Sequence, residues 1–265
     1  RMFTNAGKLK TDAVEASLHL NLLQRGQFQW YAGGNITHYK TTVSSLGGEK
    51  SMITSFSDGS QLITQVGGSP FAFYGFEAGE VFSTQEQANA AGLASYNGNS
   101  FQAGDVHFSD RNGDHVIDDE DRTVIGRTTP KLQGGFGLSG QWKQFDFTAN
   151  FTYFLDFDVY NATAYYLSSS IDNKNNFKNV LGSFRNRWRY ADGPECYYGN
   201  TWIQDANLHY IEMNEGQTRW NPMDLNKDVT MSYFVEDGSF LRCTDITLGY
   251  SLPMNIIKHA GMSKC

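Results

Sequence analysis

Five side chains with oxygen donors recur at regular intervals in the stretch SDRNGDHVIDDEDR, which runs from Ser109 to Arg122. Counted from the first aspartate, they occupy positions one, three, five, nine and twelve: Asp110, Asn112, Asp114, Asp118 and Asp121. Val116 at position seven adds a backbone carbonyl, which completes the ligand order of an EF-hand loop. Calcium binds several oxygen ligands, and an EF-hand loop supplies them from these positions. The spacing therefore predicts a calcium site.

Two positions of this loop differ from the usual pattern. His115 stands at position six, where glycine normally makes a sharp turn, although histidine adopts positive φ more readily than most residues. Asp121 stands at position twelve in place of the longer glutamate, which weakens ligation. Because no second loop accompanies this one, a structural calcium is favoured over a sensing one. The alternative is an acidic, solvated turn without metal.

The segments around the loop alternate between apolar and polar residues, which is typical of strands with one apolar face. Arg25-Gly26 and Lys143-Gln144 mark tight turns between two pairs of these strands. The predicted strands cover residues 13–23, 27–39, 130–142, 145–155 and 242–252.

Two connections between these strands are very long, at residues 41–129 and 156–239. Compact domains rarely contain structureless loops of more than about 15 residues, whereas outer-membrane barrels combine tight turns at one end with long loops at the other. The pattern favours a transmembrane barrel over a soluble β-sandwich. Within the first connection, Ser83 and Glu86 predict a capping box that begins a helix.

Composition limits the function further. The 265 residues include 14% aromatics, 27 glycines and 5 prolines, a balance that favours β structure with many turns. A net charge of −7 argues against a nucleic-acid partner. The three cysteines, Cys196, Cys243 and Cys265, lie far apart and predict incidental thiols.

Because the chain contains no GxSxG or HExxH motif, we expect that it is not an enzyme.

The stretch GDVHFSDRNGDHVIDDEDRTVIGRTTPKLQGGFGLSGQWKQFDFTANFTY, from Gly104 to Tyr153, contains the metal loop. It resembles the hallmark block of SusC/RagA-type TonB-dependent outer-membrane transporters of Bacteroidota. A second block, VEDGSFLRCTDITLGYSLP, also resembles this family. The residues of the first block that match the family pattern are Gly104, Asp105, Asp110, Asn112, Gly113, Asp114, Ile117, Asp118, Asp121, Ile125, Gly126, Pro130, Lys131, Gly135 and Phe136.

The resemblance implies an all-β fold, as a fragment of a large antiparallel transmembrane β-barrel of about 22 strands with long extracellular loops. Residues 1–265 would form a C-terminal part of this barrel, without the N-terminal plug and without the last strands. Residues 41–129, which contain the calcium-like loop, and residues 156–239 would then be extracellular.

The resemblance also implies a function in the bacterial outer membrane. Members of the family import oligosaccharides or peptides, driven by the TonB complex acting through the plug, beneath a SusD-like surface lipoprotein that closes as a lid. Four aromatic residues of the second long loop could stack on sugar rings or serve only loop packing and lid contacts: Tyr197, Tyr198, Trp202 and Trp220. The alternative function is a soluble, calcium-stabilised carbohydrate-binding module rich in β structure.

Overall fold

The computed structural model describes residues 7–168, Gly182, Trp188 and residues 229–253. The described chain is mostly antiparallel β structure, as predicted. The elements in chain order are β1 (Gly7–Arg25), β2 (Phe28–Leu46), β3 (Ser51–Ser55), β4 (Gln61–Gln65), β5 (Ala72–Gly75), β6 (Ala78–Val81), α1 (Gln85–Ala91), β7 (Ala94–Ser95), β8 (Val106–Phe108), β9 (Val116–Ile117), a 3-10 helix (Asp119–Asp121), β10 (Thr123–Gly126), β11 (Leu132–Trp142), β12 (Phe145–Leu155), β13 (Asp158–Tyr160), α2 (Ala162–Ser168), a second 3-10 helix (Ser232–Phe234), β14 (Val235–Asp237) and β15 (Phe240–Tyr250).

Five long strands form the main sheet in the order β1, β2, β11, β12 and β15, and every neighbouring pair is antiparallel. The first two strands are joined at Gly26, which has a φ of 61°, and the third and fourth at Lys143, which has a φ of 55°. Two-residue hairpin loops need such left-handed residues. Both tight turns therefore lie where the sequence predicts them. Strands β1 and β2 are longer than the alternation predicts, with 19 residues each.

The register aligns the apolar residues of all five strands on one face. One row across the sheet runs through Leu20, Ala32, Leu138, Ala149 and Ile246. The next row is polar and lies on the opposite face, because successive strand residues point to opposite sides. The main sheet therefore has an apolar face and a polar face along its whole width.

The buried core lies outside the main sheet, in the segments that connect β2 to β11 and β12 to β15. We call the described residues of these two connections the loop unit. Phe76 and Phe108 pack with ring centroids 5.4 Å apart, and Phe101 lies 6.2 Å from Phe108. Trp188 and Met231 from the second connection lie in the same cluster. The two long connections thus share one hydrophobic core.

Backbone hydrogen bonds also join the two connections. The Phe76 N–H donates to the Thr230 carbonyl at 2.9 Å, and the Ser232 N–H donates to the Phe76 carbonyl at 2.9 Å. The Trp188 indole N–H donates to the Ser83 carbonyl at 3.0 Å. These bonds satisfy polar groups that the hydrophobic core would otherwise leave unpaired, so the loop unit folds as one body.

Helix α1 begins one residue later than the sequence predicts. Thr84, and not Ser83, is its N-cap, and the Thr84 hydroxyl accepts from the Gln87 N–H at 3.2 Å. The Gln87 side chain in turn accepts from the Ser83 N–H, so Gln87 takes the role predicted for Glu86. An N-cap hydroxyl accepts from the backbone N–H group three residues ahead, and for Thr84 that group belongs to Gln87. None of the described helices is long and apolar enough to cross a membrane.

Candidate functional site

The predicted calcium loop makes a sharp turn at His115. This residue has a φ of 63°, in the left-handed region, and Gly113 has a φ of 79°. The turn directs backbone N–H groups at the first aspartate of the loop. The N–H groups of Gly113 and His115 donate to the two oxygens of Asp110, at 2.7 Å and 2.9 Å. Histidine therefore adopts the conformation for which glycine is usual at this position.

These hydrogen bonds keep Asp110 ionised. Partial desolvation opposes ionisation of its carboxyl group, but the backbone N–H groups of His115 and Gly113 outweigh this and lower the pKa of Asp110 below its usual value. The side chain of His115 also favours the charged form. An ionised carboxylate at position one is what a hard cation requires.

The end of the loop is anchored in the loop unit. Asp121 is fully buried, and its two oxygens accept the N–H groups of Arg111 and Asp118, at 2.8 Å and 2.9 Å. Asp118 caps the short 3-10 helix that follows. Ile117 belongs to the hydrophobic core, and the Ala94 N–H donates to the His115 carbonyl at 2.9 Å. The shape of the loop is therefore coupled to the packing of the loop unit.

The donors fit a hard cation in type and order. Asp110, Asp114 and Asp118 each supply carboxylate oxygens, and a carboxylate oxygen that already accepts one N–H bond can accept a further ligand. Among the described residues, no three His, Cys, Asp or Glu side chains come together as a group that could hold a metal ion. The four predicted aspartate ligands, Asp110, Asp114, Asp118 and Asp121, are therefore not brought together as such a group, and the other two predicted ligands are the Asn112 amide and the Val116 carbonyl.

An ion pair lies where the loop unit joins the main sheet, between Lys131 just before β11 and Asp156 just after β12. We call this junction the neck. The Lys131 ammonium lies 2.8 Å from a carboxylate oxygen of Asp156, and the Arg127 guanidinium lies 3.8 Å from the same oxygen. The hydrogen bond from Lys131 lowers the pKa of Asp156. Sequence reasoning noted Lys131 only as part of a motif, because a partner 25 residues away shows no signal in the sequence.

The apolar face of the main sheet is exposed to its surroundings. Large side chains on this face, such as Leu18, Ile246 and Leu248, are more than half exposed. Aromatic rings gather at the end of the sheet with the tight turns. The ring of Phe145 lies 4.7 Å from that of Tyr250 and 6.2 Å from that of Trp142. An apolar band edged by aromatic rings is the surface of a transmembrane barrel.

Part of the sequence prediction falls outside the described residues. This applies to the four aromatic residues proposed for substrate contacts, Tyr197, Tyr198, Trp202 and Trp220, and to two of the cysteines. The third cysteine, Cys243, is a free thiol on the exposed surface of β15.

Comparison with known proteins supports the same architecture. No family model matches the chain. It is 24% identical over 272 residues to TonB-dependent receptor P3 of Formosa agariphila, a match that covers 97% of this chain and 23% of the receptor. It is 27% identical over 266 residues to TonB-dependent receptor SusC of Bacteroides thetaiotaomicron, with coverages of 95% and 21%. The chain is thus similar in sequence to TonB-dependent receptors, SusC among them. It spans between a fifth and a quarter of the length of these two relatives.

Two solved structures share the fold of this chain. The RagAB peptide transporter matches with a TM-score of 0.64 at 19% identity, covering 94% of this chain and 24% of the matched chain. The RagAB peptide importer in its open-open state matches with a TM-score of 0.65 at 20% identity, covering 97% and 24%. The likeness confirms the predicted all-β fold class.

Proposed function

We propose that this chain forms part of the wall and the extracellular loops of an outer-membrane transporter that imports nutrients. The observation that carries the proposal is the apolar face of the main sheet. Ile246 is 65% exposed and Leu248 is 73% exposed, while Phe76, Phe101 and Phe108 of the loop unit are buried. Soluble monomers rarely expose a contiguous apolar patch of more than a few hundred Å². Lipid is the environment that covers such a face.

The length of the strands and the hydrogen bonding between them support a membrane wall. Strands β11, β12 and β15 have 11 residues each, which is the length that a tilted strand needs to cross the hydrocarbon layer. In that layer every backbone group needs a partner, and the ladder between neighbouring strands supplies one. The loop unit lies at the end of the sheet opposite the aromatic band, where barrels carry their extracellular loops.

The energy source and the partners follow from the relatives. We propose that import is driven by the TonB complex and that a SusD-like surface lipoprotein closes over the loop unit. The names of the matched receptors support the first part, and the two-component name RagAB supports a paired assembly. The cargo would be an oligosaccharide or a peptide, because both are too large for simple pores.

We further propose that calcium binds the loop from Asp110 to Asp121 in a structural role. The order of oxygen donors, the left-handed turn at His115 and the lowered pKa of Asp110 support it. When bound, the ion would supply a positive charge that relieves repulsion among the carboxylates. The chain's own part is to hold Asp110 and Asp121 in place through backbone N–H groups, which keeps Ile117 in the core.

Cell fractionation and uptake measurements on the full-length protein test the transporter proposal. We expect the protein in the outer-membrane fraction and soluble only with detergent. Uptake of labelled oligosaccharide or peptide mixtures should require both this gene and an active TonB complex. A protein that is monodisperse in water without detergent would instead support the soluble carbohydrate-binding module. Uptake that persists without TonB would overturn the energy source.

A further inference from the structure

The apolar face of the main sheet gives way to charged residues at the loop-unit end of β1 and β2. From the pair Leu23–Trp30 to the pair Val14–His38, no Asp, Glu, Lys or Arg lies on this face of the two strands. Both strands continue past that point, because each has 19 residues, whereas β11, β12 and β15 have 11. The hairpin of β1 and β2 therefore extends beyond the apolar band.

The charged residues of this extension are mostly basic. Asp12 pairs across the strands with Lys40, and Lys10 lies on the same face because strand residues alternate. Lys8 follows on that face, since the bulge beside it places its extra residue on β2 and keeps the alternation of β1. We call these four residues the lysine patch. Three ammonium groups stand against one carboxylate, so the patch is positive although the chain has a net charge of −7.

Lys10 and Lys40 lie close enough to act on one ligand. They are diagonal neighbours, since Lys10 pairs with Thr42 while Lys40 pairs with Asp12. Diagonal neighbours on antiparallel strands are about 7–8 Å apart, which two long side chains can bridge. The Lys10 ammonium lies 3.0 Å from a carboxylate oxygen of Asp12, but the two side chains are 68% and 71% exposed. Such a solvated ion pair contributes little by itself and does not prevent Lys10 from binding an anion.

The height of the lysine patch matches the lipid headgroups. At about 3.4 Å per residue and a tilt of about 40°, β2 rises about 26 Å from Phe28 to His38. The apolar band of a transmembrane barrel is about 25 Å tall. On the same scale, Lys40 lies about 5 Å and Lys10 about 10 Å beyond the band. Lysine side chains extend along an apolar surface and place the ammonium group in the headgroup layer.

The position of the lysine patch at the lipid boundary does not depend on the rest of the barrel. A further strand would pair with the free edge of β1 and extend the sheet sideways, without covering either face. The barrel interior lies on the polar side of the sheet, opposite the patch. Closure of the barrel therefore leaves the patch facing outward, in continuity with the apolar face.

We propose that the lysine patch binds the phosphate group of an outer-leaflet lipid. The inference rests on the proposed membrane location and concerns a component of the membrane, not the cargo. Ammonium groups make charge-assisted hydrogen bonds to phosphate oxygens. Each lysine beside an anionic headgroup layer adds about fivefold to the affinity. A lipid is favoured over a free anion because its acyl chains can lie along Val14 and Ile36, which are exposed on the same face.

Lipid binding to the full-length protein in dodecyl maltoside micelles tests the proposal. The probe is diphosphoryl lipid A, a phosphorylated glycolipid of bacterial outer leaflets, and native mass spectrometry measures its affinity. Lys10→Gln combined with Lys40→Gln should weaken binding about tenfold or more, at about fivefold for each lysine. The control combines Lys50→Gln in the loop unit with Lys143→Gln in a tight turn. It removes the same charge outside the patch and should leave the affinity unchanged.

Asp12→Asn separates headgroup binding from a purely structural ion pair. Removal of this carboxylate relieves repulsion of the phosphate, so the affinity for lipid A should rise several-fold, whereas Lys10→Gln should lower it. If the pair only stabilised the hairpin, both substitutions would change the affinity in the same direction or not at all. Opposite signs are therefore the result that supports the proposal.

Several other results would overturn it. Equal binding of lipid A without its phosphate groups would show that the acyl chains alone are recognised. Displacement of lipid A by inorganic phosphate at equal concentration would show a site for a free anion. An equal loss in the Lys50 and Lys143 control would show a general charge effect. Membrane fractionation and TonB-dependent uptake are measured separately on each variant, so the lysine patch can fail while the transporter proposal stands.

Discussion

The main sheet and the loop unit place similar apolar residues in opposite environments. Phe108 of the loop unit is 2% exposed, whereas Leu248 of the main sheet is 73% exposed. The loop unit buries Phe76, Phe101 and Phe108 against one another, as water-soluble domains do. The main sheet exposes the apolar side chains of one face and carries its hydrogen-bonding side chains on the other. Under the proposed function, the two regions of the chain fold against different solvents.

The difference shows where each region obtains its stability. The loop unit gains hydrophobic stabilisation within the chain, because burial removes its side chains from water. The main sheet has no such core, so in the proposed membrane setting its apolar face gains stabilisation from lipid. Its polar groups are satisfied by the ladder between strands. Substitutions at equivalent apolar residues should thus have different consequences in the two regions.

The largest expected effect is a cavity in the loop unit. Phe108→Ala should lower the local free energy of unfolding by about 3–5 kcal/mol, because the ring packs against Phe76 and Phe101. Hydrogen exchange of the loop-unit amides in the full-length protein measures this. The control is Leu248→Ala, which should leave that exchange unchanged. Equal effects of the two substitutions would contradict a separate core in the loop unit.

A charge on the apolar face of the sheet should have the next largest effect. Ile246→Arg places a charge near the middle of β15, where the cost is about 2–4 kcal/mol in a bilayer. Its neighbour Thr247 lies on the polar face, so Thr247→Arg should cost much less. Reversible urea unfolding from lipid vesicles measures both. The assignment of the lipid face is wrong if Thr247→Arg is the more damaging change.

Removal of calcium should affect the loop unit but not the sheet. Asp110→Ala combined with Asp114→Ala should abolish bound calcium and lower the thermal midpoint of the loop unit by several degrees. A ligand at about 100 times its Kd stabilises by about 2.7 kcal/mol. Metal analysis and hydrogen exchange with and without chelator measure this. Asp119→Ala, outside the predicted ligand set, is the control. Unchanged calcium content in the double variant would eliminate the site.

The smallest expected effect is a pH dependence at the neck. The Lys131 ammonium lowers the pKa of Asp156 in the folded state, so the ionised carboxylate stabilises the fold. This contribution is fully present above the ordinary carboxyl pKa of 3.8 and is lost as the pH falls below it. Lys131→Gln should flatten the dependence of the thermal midpoint on pH in this acidic range. An unchanged profile would show that the ion pair is solvated and contributes little.

Local patterns predicted much of the fold. Strict alternation identified all five long strands, and Gly26 and Lys143 marked both tight turns, because these features depend on neighbouring residues only. The helical cap was displaced by one residue, to Thr84, since both Ser83 and Thr84 carry a suitable hydroxyl and the sequence does not choose between them. In the metal loop, donor spacing predicted the turn at His115, which the structure contains.

The sequence by itself determined the periodicity of the strands, the order of oxygen donors from Asp110 to Asp121, and the resemblance to the SusC/RagA-type receptors. Only the tertiary structure decided how the two long connections combine. The contacts of Phe76 with Thr230 and Met231 span more than 150 residues, and no local pattern encodes them. The polar face likewise depends on register, because strand pairing places Gly33 and Gly137 side by side between His19 and Asn150. Such juxtapositions arise from packing and strand pairing, which join residues that the sequence keeps apart.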